Sequence, residues 1–575
     1  MNYEWNYEPP TSETLEAAKE LAKELNISPV LGQLLLSRGI CTAEAAKKFF
    51  RPHLSELHDP FLMNDMDVAV ERLNRAMGRK ERVLVYGDYD VDGTTAVALV
   101  YKFIQQFYSN VDYYIPDRYE EGYGVSHQGI DYAYETGVKL VIVLDCGIKA
   151  IEEIGYAKEK GIDFIICDHH VPDDELPPAV AILNAKRVDN HYPYPHLSGC
   201  GVGYKFMQAF AISNGIELKE LTPLLDLVAV SIASDIVPIM GENRVLACHG
   251  LKQINSNPST GLRAILEVCG LTGRDITMSD IVFKIGPRIN ASGRIQNGRQ
   301  SVELLVEKDY PRALEMATQI NQYNETRKDL DKQMTEEANQ LVEQYAELKE
   351  KKSIVIFNED WHKGVIGIVA SRLTEIYFRP AVVLTRTDDM ATGSARSVSG
   401  FDVYKAIEHC RDLLENFGGH TYAAGLSLKV DNVPEFSRRF EEYVEQHIEP
   451  EQTSAILNID AELEFKDITP KFFSDLKKLR PFGPDNQKPV FCTKGVYDYG
   501  TSKVVGREQE HIKLELVDGN SPHIMNGIAF GQSSQARYIK TKRAFDICYT
   551  IEENIFKRGE PQLQIEDIRP CDPIQ

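Results

Sequence analysis

Short apolar runs alternate with helical stretches between residues 80 and 240, and this alternation constrains the fold more than any other feature. The runs read RVLVYG, VDYYIP, KLVIVLDCG, DFIICDHH and AVAILN. Continuous runs rich in β-branched residues are typical of strands that are buried on both faces of a sheet. Strands that alternate with helices predict an α/β domain with a parallel sheet, in which ligands bind beyond the carboxyl ends of the strands.

Acidic residues crowd the ends of these predicted strands. Asp88, Asp90 and Asp92 follow the first run in the stretch VYGDYDVDGTTA, and Asp145 and Asp168 follow two later runs. Like charges that are packed together repel each other. The aspartates must therefore be well solvated, or a positive charge must lie among them.

An EF-hand loop and a simple helix cap account less well for the first aspartate group. The spacing D-x-D-x-D-G resembles part of an EF-hand loop, but that loop needs a glutamate six residues after the glycine, where this chain has Leu99. The segment after Gly93, TTAVALVYKFIQQF, has a helical pattern and not that of a loop. One aspartate could cap this helix, but three aspartates exceed what capping requires.

A centre for divalent metal ions explains the crowding. Carboxylates together with imidazole suit manganese or magnesium, and the histidine favours manganese. Two ions about 3.5–4 Å apart can activate water for in-line attack on phosphorus, and Asp145, at a central strand end, could bridge them. The segment LLDLVAVSIASDIVP predicts a buried helix that delivers Asp235 as a further ligand, although an aspartate at a helix end is usually just exposed.

The doublet His169-His170 is more specific than either histidine alone. A single histidine near apolar residues is more often a core side chain with satisfied hydrogen bonds. Adjacent residues at a strand end point in different directions. One histidine can therefore bind a metal ion while the other donates to a substrate or a leaving group.

Two further polar segments could bind phosphate. GPRINASGR carries two arginines beside Asn290 and Ser292 in a predicted glycine-containing turn, and such arginines suit bidentate phosphate recognition; a plain surface turn is the alternative. In FGGHTYAAG the paired glycines permit close backbone approach to a phosphate or sugar, and His420 can donate; the alternative is a turn at a helix start. Arg396, in GSARS, lies in the same module and adds a candidate contact.

The remaining segments predict further domains. Residues 13–25 and the segment CTAEAAKKFF have helical patterns, and residues 309 to about 350 form a long polar helical pattern suited to bridging two domains. A second α/β segment runs to about residue 447. After about residue 455, alternating segments such as HIKLELVDG and RAFDICYTIEEN predict an all-β module, such as a small barrel.

Length and composition exclude several classes of protein. The chain has 575 residues, too many for one core, and we expect three or four folding units. No uncharged apolar run reaches about 18 residues, and the N-terminus lacks basic and apolar signal regions, so we expect no membrane span and no secretory signal. Ten scattered cysteines without a CxxC pair argue against a zinc ribbon or a disulfide framework and favour the cytoplasm.

The net charge of −22 does not exclude a nucleic-acid partner. Residues 451–575 contain 17 Lys and Arg and 19 Asp and Glu, a balance of −2, so the rest of the chain carries the other −20. Net charge describes solubility more than it describes one groove. Nucleic acid can still bind where basic residues line one face.

These motifs resemble those of the DHH phosphoesterase superfamily. DYDVDG, VLDCG, DHH and SIASDIVP resemble its successive motifs, and GGHTYAAG resembles the signature of the associated DHHA1 domain. Combined with IPDRYEEGYGVS, LSGCGVGYKF, GPRINASGR, WHKGVIGIVASRL and LRPFGPDNQKPVF, they resemble the RecJ family of single-strand-specific 5′→3′ DNA exonucleases, in order over nearly the whole chain.

The resemblance implies a multidomain α/β fold. The expected parts are an N-terminal helical segment at 1–75 that packs on the core, a DHH catalytic domain with a parallel sheet at 76–308, a connecting helix at 309–351, an α/β DHHA1 domain at 352–450 and an OB-like nucleic-acid-binding β-barrel at 455–575.

The resemblance also implies residue roles. Asp145 would contact both of two Mn²⁺ or Mg²⁺ ions, and the other ligands would be Asp88 and Asp90 at one ion and Asp92, His169 and Asp235 at the other. His170 would contact the scissile phosphate or aid departure of the leaving oxygen, and Asp168 would orient its neighbours. The expected DNA contacts are Arg288, Asn290, Ser292, Arg294, Arg396, Gly419 and His420, and on the barrel Phe482, Lys503, Arg507, His511 and Lys513.

The implied function is hydrolysis of single-stranded DNA in DNA repair and recombination, with a single-strand-binding protein and a RecQ-type helicase as candidate partners. One alternative is a DHH–DHHA1 hydrolase of short oligonucleotides or cyclic dinucleotides, against which the β-rich module and the length argue. The other is a non-enzymatic replication scaffold, which the complete set of aspartates and His169 disfavours. A family II pyrophosphatase is disfavoured because the second domain of those enzymes lacks the GGH turn that this chain contains.

Overall fold

The computed structural model describes residues 3–519, 523–554, 557 and 559–571, with the backbone alone described at 346 and 347. The chain forms two compact units, and each is discontinuous in sequence. One contains Met1–Leu57, Ile236–Cys248 and Ala455–Gln575, and the other contains His58–Asp235 and His249–Ser454. Every helix in the described ranges is too short or too polar to cross a membrane.

The first part of the chain contains a helical N-terminal segment and an α/β domain. The N-terminal segment has β1 (Glu4–Asn6), α1 (Ser12–Leu25), α2 (Pro29–Leu36) and α3 (Ala43–Phe50). The α/β domain follows with α4 (Met66–Gly78), β2 (Arg82–Gly87), α5 (Val91–Gln105), β3 (Val111–Tyr114), α6 (His127–Glu135), β4 (Val138–Leu144), α7 (Ile151–Glu159), β5 (Asp163–Cys167), β6 (Ala181–Leu183), α8 (Gly199–Ser213), α9 (Leu225–Ser234), α10 (Gly241–Ser256), α11 (Thr260–Val268), α12 (Met278–Asp280), a π-helix (Ile281–Ile285), α13 (Gly286–Ile295) and α14 (Arg299–Val306).

The sheet of this α/β domain has the strand order β3-β2-β4-β5-β6, and all neighbouring strands are parallel. The predicted parallel sheet is therefore confirmed. After β2 the chain adds β3 on one side and then returns to add β4 on the other side, so the strand order reverses between β2 and β4. Ligands of open α/β sheets bind at such a reversal, beyond the carboxyl ends of the strands.

Burial on both faces explains why the strands read as continuous apolar runs. Leu84 of β2 packs in one cluster with Ile130 of α6 and Ile154 of α7. Val83 and Val85, which alternate with Leu84 and so point to the opposite face, are also fully buried. The sheet is a rigid base that fixes the positions of its strand ends.

A long helix leads to the second α/β domain. The elements are α15 (Tyr310–Gln344), α16 (Ala346–Glu350), β7 (Ile354–Phe357), α17 (Ile366–Tyr377), β8 (Ala381–Thr387), β9 (Met390–Arg396), α18 (Val403–Glu408), β10 (Leu414–His420), β11 (Ala423–Lys429) and α19 (Val433–His447). Met334 and Ala338 of α15 pack in one cluster with Ile354 of β7 and Val369 of α17. The polar helix is thus bound to the second domain by a narrow apolar stripe.

The second sheet has the order β10-β11-β9-β8-β7 and is antiparallel except between β7 and β8. The segment FGGHTYAAG forms the tip of the β10–β11 hairpin, where His420 pairs with Ala423, so the alternative of a helix-start turn is wrong. Gly419 has φ +150°, and a Cβ there would lie 2.3 Å from the Ala423 carbonyl oxygen. The hairpin tip therefore requires glycine at this position.

The segment GPRINASGR was expected to be a turn, but it forms helix α13. Pro287 lies in the first turn of the helix, where a missing N–H costs little. The glycines serve close packing: a Cβ on Gly286 would lie 2.8 Å from Ser234 Oγ, and one on Gly293 would lie 2.7 Å from the Tyr89 carbonyl oxygen. Glycine here brings α13 close to the neighbouring elements and does not end a helix.

The last module is a closed β-barrel. Its elements are β12 (Ile456–Asn458), β13 (Ala461–Glu462), α20 (Pro470–Leu476), β14 (Phe491–Asp498), β15 (Lys503–Val505), β16 (His511–Asp518), β17 (Met525–Ala529), α21 (Ala536–Ile539), β18 (Phe545–Glu553) and β19 (Pro561–Pro570). The order β14-β18-β19-β17-β16 closes on itself because β14 also pairs with β16. The predicted all-β module is confirmed.

The N-terminal segment is divided between the two units. Leu31 and Leu35 of α2 are buried in the same cluster as Phe491 and Tyr549 of the barrel, whereas α4 lies in the other unit. Arg244, from the 236–248 insertion, is 3% exposed and donates to backbone carbonyl groups of residues 49 and 478–481. The expected segment 1–75 is therefore divided, because apolar side chains between Leu21 and Phe50 complete the barrel core, and the residues from His58 onward belong to the other unit.

Candidate metal centre

The loop after β2 holds the first aspartates in fixed positions. Asp88 is fully buried, and Asp90 caps α5 by accepting a hydrogen bond from the Gly93 amide at 3.1 Å. A Cβ on Gly93 would lie 1.8 Å from Asp88 Oδ1, so glycine is required for the two carboxylates to fit. Asp92 lies in the first turn of α5 and is 1% exposed.

Asp92 is held by the start of α8. Its carboxylate accepts hydrogen bonds from the amides of Gly199 at 2.7 Å and Cys200 at 2.8 Å, and from Ser231 Oγ at 2.6 Å. An amide-rich helix start stabilises a negative charge, so this carboxylate is fixed without a cationic side chain.

Asp145 follows β4 and adopts a left-handed backbone conformation with φ +62°. Its amide donates to the Cys167 carbonyl oxygen at 2.9 Å, which ties the turn to the end of β5. A Cβ on Gly199 would lie 2.5 Å from Asp145 Oδ1, so the start of α8 packs directly against this carboxylate. The side chain lies where β2 and β4 diverge, at the reversal of the strand order.

Asp168 fixes the histidine doublet. Its Oδ1 accepts hydrogen bonds from the amides of His169 at 2.7 Å and His170 at 3.0 Å and contacts His170 Nδ1 at 2.8 Å, and its Oδ2 accepts from the Ile148 amide at 3.0 Å. His169 points inward with its side chain 8% exposed, whereas the His170 side chain is 46% exposed. The two imidazoles thus face different surroundings, as expected for adjacent residues at a strand end.

His169 brings three of the aspartates together. Its Nε2 lies 3.1 Å from Asp145 Oδ1, 3.5 Å from Asp235 Oδ2 and 3.9 Å from Asp92 Oδ2. Asp235 ends α9, and the following Ile236 has φ +57°. The weak sequence signal for Asp235 is explained by its place, since it is a helix-end aspartate turned into the site and not toward solvent.

The cluster is electrostatically incomplete. Burial raises the pKa of Asp88, Asp90 and Asp145, and the charges of the neighbouring aspartates raise each pKa further. Burial and the charges of Asp92 and Asp90 raise the pKa of Asp235 to about 9. Burial lowers the pKa of His169 to about 4, so its imidazole is neutral near pH 7 and can offer a lone pair to a cation.

The donor atoms fit divalent metal ions. There are three groups of residues whose potential ligand atoms lie within 4.8 Å of one another inside the group. The groups are Asp88, Asp90 and Asp145; Asp92, His169 and Asp235; and Asp145, His169 and His170. Among the described residues, several of these buried atoms have no hydrogen-bond partner, namely Asp88 Oδ2, Asp145 Oδ1, both His169 ring nitrogens and Asp235 Oδ2. Oxygen and imidazole donors left unpaired beside Asp145, which belongs to two groups, suit a pair of Mn²⁺ or Mg²⁺ ions.

An arginine cluster lies beside the metal centre. Arg294 donates to the Gly364 carbonyl oxygen at 3.0 Å, and Arg396 donates to Ser394 Oγ at 2.8 Å. Burial, together with the charges of Arg118, Arg396 and Arg327, lowers the pKa of Arg294 to about 9. Sequence analysis assigned no role to Arg118, although it lies in the quoted stretch IPDRYEEGYGVS, or to Arg327, which local sequence does not distinguish from other charges of a polar helix.

The other predicted phosphate contacts differ in their environment. Ser292 is fully buried and hydrogen-bonds with Ser301 Oγ at 2.6 Å, so its hydroxyl lies in the core, and its role as a DNA contact stays a prediction. Arg288 donates to Asn321 Oδ1 at 2.8 Å and to the Lys284 carbonyl oxygen. His420 is exposed at the hairpin tip, and burial of part of its ring and the charges of Arg396 and His170 lower its pKa.

The barrel candidates also separate into two groups. Phe482 is partly buried and packs against the barrel core, and its role as a DNA contact stays a prediction. Lys503 and Lys513 are exposed and lie directly opposite each other on β15 and β16, while Arg507 is exposed in the loop between these strands. His511 lies 3.1 Å from a Glu510 oxygen and stacks edge-on with Phe530, an aromatic residue 53% exposed that sequence analysis missed.

The fold and the site together define a metal-dependent phosphoesterase of the DHH class. The DHH family N-terminal domain matches residues 82–232, and the DHHA1 domain matches residues 350–446. The RecJ OB domain matches residues 459–567.

The chain belongs to the RecJ family. It is 34% identical to single-stranded-DNA-specific exonuclease RecJ of Bacillus subtilis (strain 168), over 98% of this chain and 70% of that protein. It is 31% identical to the RecJ of Escherichia coli (strain K12), over 94% of this chain and 95% of that protein. The crystal structure of RecJ in complex with Mn²⁺ from Thermus thermophilus is similar with a TM-score of 0.84 and 26% identity, over 99% of this chain and 80% of that chain.

Proposed function

We propose that this chain is a metal-dependent exonuclease that hydrolyses single-stranded DNA from its 5′ end. The observation that carries the proposal is the convergence of Asp145, His169 and Asp235 at the reversal of the strand order, with unpaired donor atoms facing one another. Membership of a family whose characterised relatives are named single-stranded-DNA-specific exonucleases supplies the substrate class.

The proposed metal ligands are the six residues predicted from sequence. Asp145 would contact both ions, Asp88 and Asp90 would complete one site, and Asp92, His169 and Asp235 would complete the other. When bound, Mn²⁺ or Mg²⁺ ions supply Lewis acidity that activates water and offsets charge on a phosphodiester. The similar RecJ structure bound to Mn²⁺ supports this choice of metal.

His170 is the proposed contact to the scissile phosphate. Its Nδ1 faces Asp168, which leaves Nε2 as the nitrogen available to a substrate. Burial would lower the pKa of His170, but the hydrogen bond and charge of Asp168 outweigh burial and raise it. Burial opposes ionisation of Asp168, but the hydrogen bond from His170 and the charges of both histidines lower its pKa to about 2. The pair favours a protonated imidazole that can donate to the leaving oxygen.

The arginine cluster is the proposed site for the strand end. Arg294, Arg396 and Arg118 are close enough to affect one another's charge, and such a concentration of arginine suits a phosphodiester chain. Asn290 and Arg288 on α13, and Gly419 and His420 at the hairpin tip, would add contacts. A strand bound between α13 and the hairpin tip would present its terminal linkage to the metal centre.

The exposed basic face of the barrel is the proposed contact for the trailing strand. Lys503, Lys513 and Arg507 can follow a phosphate backbone, and His511 with Phe530 can stack against a base. This surface lies around the β15–β16 hairpin and within one unit.

A two-label nuclease assay tests the proposal. With Mn²⁺, a 5′-labelled single strand should release labelled mononucleotide at once, whereas a 3′-labelled strand should shorten progressively from the other end. Asp145→Ala should abolish hydrolysis while filter binding of the strand largely persists. Asp173→Ala, which removes an exposed aspartate paired with Lys149, is the matched control and should leave both readings unchanged.

Competition between dinucleotides and long single-stranded DNA distinguishes the proposed exonuclease from the main alternative. A hydrolase of short oligonucleotides or cyclic dinucleotides would prefer these to long single strands, and that preference would reject the exonuclease assignment. Failure of purified protein to bind Mn²⁺ would instead favour a non-enzymatic scaffold.

We also propose a cytoplasmic location and two protein partners. The ten cysteines all lie among the described residues and are free, which suits a reducing cytoplasm. A RecQ-type helicase and a single-strand-binding protein are the proposed partners, since an enzyme restricted to single strands needs a source of them. Co-purification of tagged protein with either partner, before and after nuclease treatment, distinguishes direct binding from DNA bridging.

A further inference from the structure

A cavity of about 230 Å³ adjoins the metal centre. Val91, which follows Asp90, and Ser234, which precedes Asp235, form part of its wall. The wall also includes Asn290 of α13 and Arg327 of the long helix α15. The cavity therefore joins the catalytic edge of the first α/β domain to the helix that leads to the second.

Three residues of the cavity wall each carry a buried polar atom that lacks a partner. Ser234 Oγ, Asn290 Oδ1 and Arg327 Nε are buried and make no hydrogen bond within the described part of the chain. Buried polar groups in native proteins are almost always paired, so three residues of one wall with unpaired polar atoms single out this cavity as a candidate binding site. The asparagine amide can turn to present either its oxygen or its nitrogen.

The charges of the wall select an anion. Arg294 and Arg327 both line the cavity, and none of the described residues that line it is acidic. This contrasts with the neighbouring aspartate cluster, which suits cations. Arginine presents several donors in a planar fork and matches the oxygens of a phosphate group.

Arg327 is held so that one edge remains free for a ligand. Its side chain is 12% exposed, its Nη2 donates to Asn324 Oδ1 at 2.9 Å, and its Nη1 lies 3.8 Å from Asp331 Oδ2. These two neighbours on the same helix orient the guanidinium. Among the described residues Nε has no partner, so it is a donor that a ligand could use.

We propose that Arg327 of the connecting helix, with Asn290 and Ser234, binds a backbone phosphate of the single strand in this cavity. The proposal rests on the function proposed above and adds to it a contact that no motif predicted. It makes α15 part of the substrate site, so strand binding involves the same helix that packs on the second α/β domain through Met334 and Ala338.

The salt dependence of binding tests the number of phosphate contacts. Binding of a fluorescent oligothymidylate is measured in an Asp145→Ala background, which removes cleavage, at several salt concentrations. The logarithm of the association constant falls linearly with the logarithm of the salt concentration, and loss of one phosphate contact makes this negative slope shallower by about 0.7 for a single strand. Arg327→Gln should show this change, whereas Lys332→Gln, an exposed residue on the same helix, should not.

A scan with neutral linkages locates the contact. Single methylphosphonate linkages are placed at successive positions of the strand. In the parent protein one linkage should weaken binding through loss of the Arg327 contact, and in Arg327→Gln that same linkage should have no further effect. An equal effect of every linkage in both proteins, together with an unchanged salt slope, would overturn the proposal.

Two further variants separate binding from support of the fold. If Arg327 served only to pair Asp331, then Asp331→Asn would weaken strand binding as much as Arg327→Gln, which would overturn the proposal. We expect Asp331→Asn, which keeps the Arg327 guanidinium and its hydrogen bond to Asn324, to keep the parent salt slope and to weaken strand binding less than Arg327→Gln does. If Arg327→Gln does not fold, Arg327→Lys keeps the charge but removes Nε, and it should keep the salt slope while losing affinity. Absence of nuclease activity in the unmodified protein would reject the proposed function instead, and this result is distinct from an unchanged salt slope.

Discussion

Replacement of Asp168 by asparagine tests whether one buried carboxylate positions the histidine doublet. The carboxylate is fully buried and accepts four contacts, three at Oδ1 and one at Oδ2 from the Ile148 amide. Asparagine offers only one oxygen. If that oxygen replaces Oδ1, the amide nitrogen faces the Ile148 N–H, and two donors then oppose each other.

The expected cost follows from these contacts. A buried donor left unpaired costs about 1–3 kcal/mol. The three remaining contacts are then made to a neutral oxygen. Hydrogen bonds to a charged oxygen are roughly twice as strong as those to a neutral one, so these contacts also weaken. We expect Asp168→Asn to lower the free energy of unfolding by about 2–3 kcal/mol and, because it releases both histidines, to lower metal affinity or activity by about 10–100-fold.

The assay combines urea unfolding with hydrolysis of a 5′-labelled strand over a range of Mn²⁺ concentrations. A positioning role predicts that more Mn²⁺ is needed for half-maximal activity and that kcat falls more than KM rises. Asp173→Asn is the control, because an exposed ion pair contributes at most about 1 kcal/mol. Wild-type Mn²⁺ dependence in a folded Asp168→Asn protein would refute the reasoning.

Three further predictions concern the metal centre and the hairpin. Burial and mutual repulsion raise the pKa of the clustered aspartates, and the pKa of Asp235 reaches about 9. Metal-free protein should therefore lose stability as the pH rises from about 4 toward 9, and Mn²⁺ should restore the stability. A melting temperature that is independent of pH and metal would contradict this. Gly199→Ala places a Cβ 2.5 Å from an Asp145 oxygen and should weaken Mn²⁺ binding in calorimetry, whereas Gly155→Ala, within α7 and with open space around it, should leave it unchanged. Gly419→Ala places a Cβ 2.3 Å from a backbone oxygen and should raise KM for single strands, while Gly418→Ala, which meets no atom within 4 Å, should not; equal effects of the two variants would contradict the assigned hairpin strain.

Local sequence predicted the candidate ligands that the structure brings together, because the signal for them is local. A strand that is buried on both faces has a recognisable composition, and the end of that strand locates the residues that directly follow it. Asp88 and Asp168 therefore lie where the pattern put them, at the ends of β2 and β5. The alternation of strands and helices also sufficed for the parallel sheet, since few connections are compatible with it.

Other features depended on long-range packing. Ser292 belongs to a segment that looked like a phosphate-binding turn, but the fold buries its hydroxyl against Ser301. Arg327 looked like one charge among many on a polar helix, yet its neighbours turn it toward a cavity beside the metal centre. The direction of a side chain depends on which distant elements surround it, and a local pattern carries little of that information.

By itself, the sequence determined the order of the domains, the fold class and the chemical type of the candidate metal ligands. Only the tertiary structure decided which of the charged residues meet, that the N-terminal helices complete the barrel core, and that the connecting helix contributes an arginine to the cavity. The physical reason is that composition and periodicity record the burial of each element, whereas a site is formed where the ends of several elements converge.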